Sequence, residues 1–260
     1  YGVVTIEKES IRGVVEKPHE MISNIVLTGV YCLCDKIFRH IDQNISQGEY
    51  GLSNAVNSSL SERPVTPVFS NGLWIDAVYP WDLLELNAAA LEHLAARTSG
   101  KIEPQVQIHG PVGIGDETVI RSGTTIYGPV LIGDGCEIGP NVTIFPSTSI
   151  GNSVLVEPFT MVKNSIIMSN CSIGANSYLS HCVFGYGTRS QSHLMAPGAE
   201  SYVNISDEFF KVPHIGSIVG EDTTFATGVV VEPGTVVGAG CKVSSGAKIT
   251  RNLPNRSLVT

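Results

Sequence analysis

Isoleucine or valine occupies every sixth position along the middle of the chain. The ten positions are Ile102, Ile108, Ile114, Ile120, Ile126, Ile132, Ile138, Ile144, Ile150 and Val156. The second residue after each is a turn former, and the fourth is small or β-branched. Because side chains alternate between the faces of a strand, each unit of six is predicted to form a short strand and a corner. Stacked units bury the isoleucine column, so the pattern predicts a parallel β-helix of hexapeptide repeats.

The column weakens after Val162, returns in part at Ile173 and Leu179, and changes register near Phe184. Residues 186–214 do not follow it, and we predict an irregular insertion there. Such a segment is either a functional loop or a tolerated surface insertion. The regular spacing resumes in the last part of the chain, at Val219, Phe225, Val231, Val237, Val243 and Ile249.

The first 97 residues have a different pattern, typical of mixed α and β structure. Strands are predicted within 1–17, 25–34 and 72–78. Helices are predicted near 35–45, where apolar residues have helical spacing, and over 80–97, which begins at Pro80 and carries an apolar stripe. We therefore divide the chain into one region at 1–97 and the repeat region at 98–260.

The composition argues against two classes of function, nucleic-acid binding and membrane association. The net charge is −8, which argues against a general nucleic-acid binder, and the 7% aromatic content is too low for a base-stacking platform. No apolar run is long enough to span a bilayer, so no membrane association is expected. The six cysteines are scattered and no signal peptide is evident, which favours free thiols in a cytoplasmic protein.

The repeat resembles the left-handed β-helix of the hexapeptide acyltransferases. Spacing alone does not determine handedness, so the left hand is implied by the resemblance. Members of that family are usually homotrimers that bind acetyl-CoA between neighbouring β-helices. The resemblance therefore implies a trimer and an acetyl-CoA site.

The first region resembles the C-terminal half of a sugar-phosphate nucleotidyltransferase domain. The resemblance rests on five segments in order, which are YGVV (1–4), EKP (16–18), TGVY (28–31), GEYGLSNAV (48–56) and WIDAVYPWDLLELN (74–87). Together the two regions are similar to the bifunctional family that joins a sugar-1-phosphate uridylyltransferase to a glucosamine-1-phosphate acetyltransferase, and to its archaeal relatives. The implied fold is mostly β, with a partial α/β nucleotidyltransferase domain before the β-helix.

The Gly-rich nucleotide loop of that family, G-x-G-T-R, does not occur in this sequence. We therefore expect the chain to be the C-terminal part of a longer enzyme. We also expect the chain by itself to be inactive in nucleotidyl transfer.

The resemblance implies several substrate-binding residues in the first region. Glu16 and Lys17 match the Glu-Lys-Pro that holds the sugar and its phosphate, and Gly2 matches a glycine whose backbone approaches the sugar nucleotide. Gly29, in TGVY, joins this set. Asp76 matches the aspartate that binds Mg²⁺. The alternatives are a charge pair at a strand end for Glu16 and Lys17, and a solvated strand residue for Asp76.

For acetyl transfer, the bifunctional family has a histidine base in the pattern H-x-x-Y. Alignment through Tyr178, a substrate-binding candidate, places Ala175 where that histidine belongs. His181 lies nearby but outside the motif, so it is either the base or an ordinary surface histidine. His193 and His214 are further candidates, and Arg251 matches an arginine near the CoA phosphates.

Three functional interpretations follow. The chain is part of an enzyme that converts a nucleoside triphosphate and a sugar-1-phosphate to a sugar nucleotide and pyrophosphate. Alternatively, its β-helix acetylates an amino-sugar phosphate, or it serves only as a trimerisation scaffold. The alanine at 175 favours the scaffold over the acetyltransferase as the role of the β-helix.

Overall fold

The computed structural model describes residues 2–205 and 207–260 of the chain. By packing, the chain forms two compact units, Tyr1–Ile75 and Asp76–Thr260. The boundary predicted between 97 and 98 follows the change of sequence pattern and stays a prediction. The packing division lies earlier, because the helix after residue 80 packs with the β-helix.

The first unit is built on an antiparallel hairpin of β1 (Gly2–Glu7) and β2 (Ser10–Glu16), followed by α1 (Ile37–Ser46) and α2 (Leu52–Ser59). Its buried core is Val4, Ile11, Val14, Ile37, Ala55 and Val56. Asn57 fixes α2 to β2, because its Oδ1 accepts from the Val14 N–H at 2.9 Å and its Nδ2 donates to the Val14 carbonyl at 2.8 Å.

Two of the predicted strands do not form within the described residues. Segment 25–34 makes an isolated bridge, Val3 to Val26, and segment 72–78 has no ladder. Apolar residues favour a strand only where a neighbouring backbone supplies continuous hydrogen bonds. Segment 25–34 bonds to β1 through the Val4 N–H to the Ile25 carbonyl and the Leu27 N–H to the Gly2 carbonyl.

The second unit begins with α3 (Asp82–Glu92), which is shorter than the predicted helix at 80–97. The Asp82 carboxylate accepts the N–H groups of Val78 and Tyr79 and so closes the turn that precedes the helix. Leu84 and Leu91 are buried, as the apolar stripe predicts.

The β-helix follows directly, and its first strand, β3 (Arg97–Thr98), begins before the predicted column. In the described part of the chain the next strands are β4 (Lys101–Ile102), β5 (Gln107–His109), β6 (Val112–Ile114), β7 (Val119–Ile120), β8 (Thr125–Tyr127), β9 (Val130–Ile132), β10 (Glu137–Ile138), β11 (Thr143–Ile144), β12 (Thr148–Ile150), β13 (Leu155–Val156), β14 (Met161–Lys163), β15 (Ile166–Ile167), β16 (Ser172–Ile173), β17 (Tyr178–Ser180), β18 (Val183–Phe184), β19 (Arg189–Ser190) and β20 (Met195–Ala196).

A hairpin of β21 (Ala199–Ile205) and β22 (Glu208–Ile215) then leaves the β-helix. The β-helix continues with β23 (Ile218–Val219), β24 (Thr224–Phe225), β25 (Val230–Val231), β26 (Val236–Val237), β27 (Lys242–Val243), β28 (Lys248–Ile249) and β29 (Leu258–Val259).

The strands of the β-helix form three parallel sheets. Sheet I contains β3, β6, β9, β12, β15, β18, β23 and β26. Sheet II contains β4, β7, β10, β13, β16, β19, β24, β27 and β29. Sheet III contains β5, β8, β11, β14, β17, β20, β25 and β28. The order confirms the predicted parallel β-helix, because successive strands from β3 to β20 and from β23 to β28 go to successive sheets.

The predicted column forms the core of the β-helix from Ile114 onward, whereas Ile102 and Ile108 at its start are each 37% exposed. Ile120, Ile126, Ile132, Ile138 and Ile144 have no solvent-exposed surface. The small residues of the second column are also buried, and their hydroxyls bond to the next coil. Thr118 Oγ1 donates to the Gly133 carbonyl at 2.6 Å, and Thr124 Oγ1 donates to the Gly139 carbonyl at 2.8 Å.

The irregular spacing after Val162 has a simple cause. Ile150 pairs with Ile167 on the next coil, and Ile167 pairs with Phe184 on the coil after that. Each of these two coils therefore contains 17 residues. Regular coils advance by 18, as between Ile138 and Val156. The missing residue lies at the corner between sheets III and I, at 163–165 and again at 180–182.

The insertion predicted at 186–214 is narrower in the structure. Residues 186–198 continue the coil through β19 and β20, and the departure is the hairpin at 199–215. The inner face of the hairpin packs with α3 on sheet I, in a cluster whose buried members are Leu84, Val183, Val203, Ile215 and Ile218. Phe210 extends this contact to the stacked rings of Tyr79 and Trp81.

None of the helices among the described residues has the length and hydropathy needed to cross a membrane.

Candidate functional sites

The first candidate site lies at the open end of the β1–β2 hairpin. Gly2 pairs with Glu16 across the two strands, and Ser53 at the start of α2 donates from Oγ to Glu16 Oε2 at 3.1 Å. The carboxylate is therefore fixed above the Gly2 backbone. A Cβ at Gly2 would lie 3.1 Å from that oxygen and 3.0 Å from Leu27 Cδ1, so a side chain does not fit without displacing them.

Lys17 follows Glu16 directly and is exposed, with φ of 43°. This left-handed conformation turns the chain at the end of β2, and the exposed Lys17 is the next residue after the carboxylate that Ser53 holds. Gly29 also has a positive φ, 81°, and no atom lies within 4 Å of the position of a Cβ. The Trp74 Nε1–H donates to the carbonyl of the preceding residue, Thr28, at 3.2 Å.

The structure places Gly2 opposite Glu16, two of the residues named from the sequence, and adds Ser53, which the sequence analysis did not name. Ser53 lies in GEYGLSNAV, one of the five segments on which the resemblance rests. The structural feature that identifies Ser53 is a short polar side chain at the start of a helix that bonds to a carboxylate of another element.

Asp76 belongs to the second compact unit and is exposed. Among the described residues, no group of three or more His, Cys, Asp or Glu side chains is arranged to hold a metal ion. Asp76 therefore offers one carboxylate. That donor fits an Mg²⁺ ion whose other ligands are phosphate oxygens and water, which is the usual arrangement for this ion.

The second candidate site lies at a corner of the β-helix between sheets III and I. His181 occupies this corner with φ of 55°. Its N–H donates to the Lys163 carbonyl at 3.0 Å and its carbonyl accepts the Gly216 N–H at 2.8 Å, so coils on both sides fix its backbone. Ser180 Oγ lies 2.9 Å from His181 Nδ1, and the His214 ring lies beside the His181 ring with centroids 5.5 Å apart.

Burial lowers the pKa of His181 below its ordinary value, and the nearby His214 and Lys163 lower that pKa further. All three effects favour the neutral imidazole, because burial and neighbouring positive charge disfavour its cation. A neutral imidazole with one nitrogen held by a hydroxyl has the properties of a general base.

The other predicted residues of the β-helix are dispersed. Tyr178 lies on the outer face of sheet III, where it pairs in register with Met161 and Met195. Ala175 lies at another corner, between sheets II and III, and its N–H donates to Glu157 Oε2 at 2.9 Å. His193 is exposed at the same type of corner, and Arg251 is exposed after β28.

Two family models match this chain. Residues 1–93 match the family model described as nucleotidyl transferase, and residues 126–231 match the one described as GMPPB C-terminal domain. The chain belongs to the sugar-1-phosphate nucleotidylyltransferases that carry a C-terminal β-helix. This confirms the resemblance drawn from the five sequence segments and the hexapeptide column.

Curated relatives cover both regions. The chain is 32% identical to the bifunctional sugar-1-phosphate nucleotidylyltransferase/acetyltransferase of Sulfurisphaera tokodaii over 97% of its own length. It is 35% identical to the bifunctional protein GlmU of Methanocaldococcus jannaschii over 100% of its own length. In both cases it spans 66% of the relative, just under two thirds.

Among solved structures, the acetyltransferase domain of PglB from Neisseria gonorrhoeae FA1090 aligns with this chain. The alignment covers 66% of this chain and 60% of the PglB chain. The identity is 16% and the TM-score is 0.27, which is too distant to add to the assignment.

Proposed function

We propose that this chain is part of a sugar-1-phosphate nucleotidylyltransferase and that its first unit binds the sugar-1-phosphate. The observation that carries the proposal is the exposed Glu16 carboxylate, which accepts a hydrogen bond from Ser53 and lies against Gly2, where a side chain would not fit. A fixed carboxylate accepts hydrogen bonds from sugar hydroxyls. The exposed ammonium of Lys17, the next residue along the chain, pairs with a phosphate as a point charge.

In the proposed reaction, a phosphate oxygen of the sugar-1-phosphate attacks the α-phosphorus of a nucleoside triphosphate. The new P–O bond forms as the bond to pyrophosphate breaks. Positioning and charge stabilisation dominate such chemistry, so the contribution of Glu16 and Lys17 is to hold the attacking phosphate in line. The Asp76 carboxylate is a suitable ligand for Mg²⁺, an ion that neutralises phosphate charge when bound.

The test is direct binding of glucose-1-phosphate and glucosamine-1-phosphate to this chain, measured by calorimetry or by NMR. Lys17→Ala is expected to weaken binding roughly tenfold, since it removes a charge-assisted contact to the phosphate. Lys8→Ala is the matched control, because Lys8 is also an exposed lysine with positive φ, at the opposite end of the same hairpin. Equal affinity in wild type and Lys17→Ala would refute the proposed sugar-phosphate site.

A second activity, acetyl transfer from acetyl-CoA to an amino-sugar phosphate, is favoured by the Ser180–His181 pair. The amine nitrogen attacks the thioester carbonyl, the C–N bond forms and the C–S bond breaks. The proton lost by the amine passes to His181 and from there to the leaving thiolate. His181→Asn, which tolerates the positive φ, is expected to reduce the rate of thiol release by roughly a hundredfold or more.

We also propose a homotrimer as the assembly of this chain. The supporting observations are the parallel β-helix and the exposed apolar side chains along sheet III.

A further inference from the structure

The β21–β22 hairpin leaves and rejoins the β-helix directly at His181. Gly198 precedes β21, and Gly216 follows β22. A Cβ at Gly198 would lie 2.7 Å from His181 Nδ1 and 3.0 Å from Ser180 Oγ. A Cβ at Gly216 would collide with the Ser180 carbonyl and lie 2.5 Å from Cys182 Sγ. Neither glycine has a positive φ, so close packing against Ser180, His181 and Cys182 is what requires glycine here.

The hairpin also brings its own imidazole to this corner. His214 is the penultimate residue of β22, and its ring is tilted by 30° relative to the His181 ring at 5.5 Å. His214 is exposed, but the hairpin that carries it is fixed on its inner face through Val203 and Ile215, which are fully buried. The position of His214 is thus determined by the hydrophobic contact of the hairpin with sheet I.

We propose that the hairpin is part of the acetyl-transfer site and that His214 is a positioning residue for the base, His181. The inference rests on the proposed acetyl-transfer activity. In this arrangement Ser180 Oγ accepts the Nδ1–H of His181, which leaves Nε2 unprotonated and available to the amine. His214 packs against the ring and limits its rotation, and its imidazole lowers the pKa of His181.

The charged groups around this corner are consistent with that role. Lys163, on the preceding coil, and His214, on the hairpin, are the neighbours that act on His181. On the following coil Glu232 lies at the corresponding corner, and its carboxylate is paired with Lys248. On the hairpin Lys211 and Glu200 are paired with each other at 3.1 Å. The positive neighbours of His181 are therefore not neutralised by these acids.

The first experiment follows the imidazole resonances of the whole chain by NMR as pH is varied. Removing His214 by His214→Asn should raise the pKa of His181, because a neighbouring positive charge is lost. His193→Asn is the matched control, since His193 is an exposed corner histidine on another edge of the β-helix. It should leave the His181 titration unchanged.

The second experiment measures the pH dependence of kcat/KM with acetyl-CoA and glucosamine-1-phosphate. His214→Asn should lower kcat/KM roughly tenfold and move the acidic limb of the profile to higher pH. A purely structural role would lower the rate without moving that limb. An unmoved limb and an unchanged His181 titration would overturn the role of His214, even where His181→Asn abolishes turnover.

Different results would overturn the acetyl-transfer activity and the role of His214. Wild-type protein that releases no thiol with any amino-sugar phosphate would overturn the acetyl-transfer activity and, with it, this inference. Full activity in His181→Asn would leave the acetyl-transfer activity standing and would overturn this inference, because His181 would then not be the base. Gly198→Ala provides an independent check on the geometry, because the added methyl displaces His181 and should reproduce the rate loss while the protein stays folded.

Discussion

At the scale of single residues, the register of the β-helix decides how a substitution is tolerated. Ile126 has no exposed surface, whereas Tyr127, the next residue, is 40% exposed and stacks between His109 and Phe145. Ile126→Asp buries an unpaired carboxylate in the core and should cost more than about 4 kcal/mol of unfolding free energy. Tyr127→Asp loses ring stacking and should cost about 1 kcal/mol.

Chemical denaturation of the two variants checks this pair. Both introduce the same side chain at adjacent positions, so each serves as the control for the other. Equal losses of unfolding free energy would contradict the assigned register.

His181 should also make the stability of the protein depend on pH. Its pKa is lowered in the folded state, mainly by burial, so the unfolded chain binds the proton more readily than the folded one does. Unfolding free energy should therefore fall as pH drops below the ordinary histidine value of 6.5 and on through the lower folded-state pKa. Above that range His181 should contribute no pH dependence.

The measurement is unfolding free energy against pH for wild type and His181→Asn. The variant should lose less stability than wild type between neutral and mildly acidic pH, and the two curves should run parallel above neutrality. His193→Asn should follow wild type throughout. Parallel curves for wild type and His181→Asn over the acidic range would contradict the lowered pKa.

At the scale of elements, α3 and the hairpin stabilise each other by covering sheet I. Leu84 is 7% exposed and packs with Val183 and Ile218 of the sheet and with the hairpin. Leu84→Ala should cost about 2 to 4 kcal/mol, the usual range for truncating a buried leucine. Leu86→Ala, on the same helix but half-buried and outside this cluster, should cost less.

Thermal unfolding followed by circular dichroism measures both leucine variants. Proteolysis of the hairpin adds a second readout, because Leu84→Ala should expose β21 and β22 to cleavage sooner than Leu86→Ala does. A larger loss in Leu86→Ala would show that the helix faces the sheet differently.

The elements also show what the sequence could and could not predict. The column from Ile102 to Val156 predicted the coils, because burial of an isoleucine every six residues leaves few other solutions. The column failed where a corner lost one residue, at 163–165 and 180–182, since corner length depends on backbone turns rather than on hydrophobicity. Those shortened corners are where Lys163 and His181 lie.

The first candidate site was predicted in part for a similar reason. Gly2, Glu16 and Lys17 are near each other because a hairpin joins them, and hairpins can be inferred from local sequence. Ser53 comes from a helix that folds back onto β2, and His214 comes from the second strand of the inserted hairpin. Contacts between residues so far apart in sequence depend on tertiary packing. No local pattern in one sequence indicates them.

At the scale of the whole molecule, the outer face of sheet I beside the hairpin is covered, whereas the neighbouring coils of sheet III expose apolar side chains. Val183 and Ile218, on the outer face of sheet I, are 3% and 8% exposed. Met161 and Met195, on the outer face of sheet III, are 38% and 39% exposed, and Tyr178 lies between them in register. A continuous apolar stripe of this kind is typical of an interface with another protein surface.

We therefore expect the proposed homotrimer to form through sheet III. Light scattering at micromolar concentration should give three times the chain mass for wild type. Met195→Glu should shift the mass toward that of one chain, because it places three like charges in an apolar interface without partners. Leu131→Glu is the matched control, since Leu131 is 41% exposed but lies on sheet I, and it should leave the trimer intact. A wild-type monomer would refute the assembly, whereas a Met195→Glu trimer beside a dissociated Leu131→Glu would move the interface to sheet I.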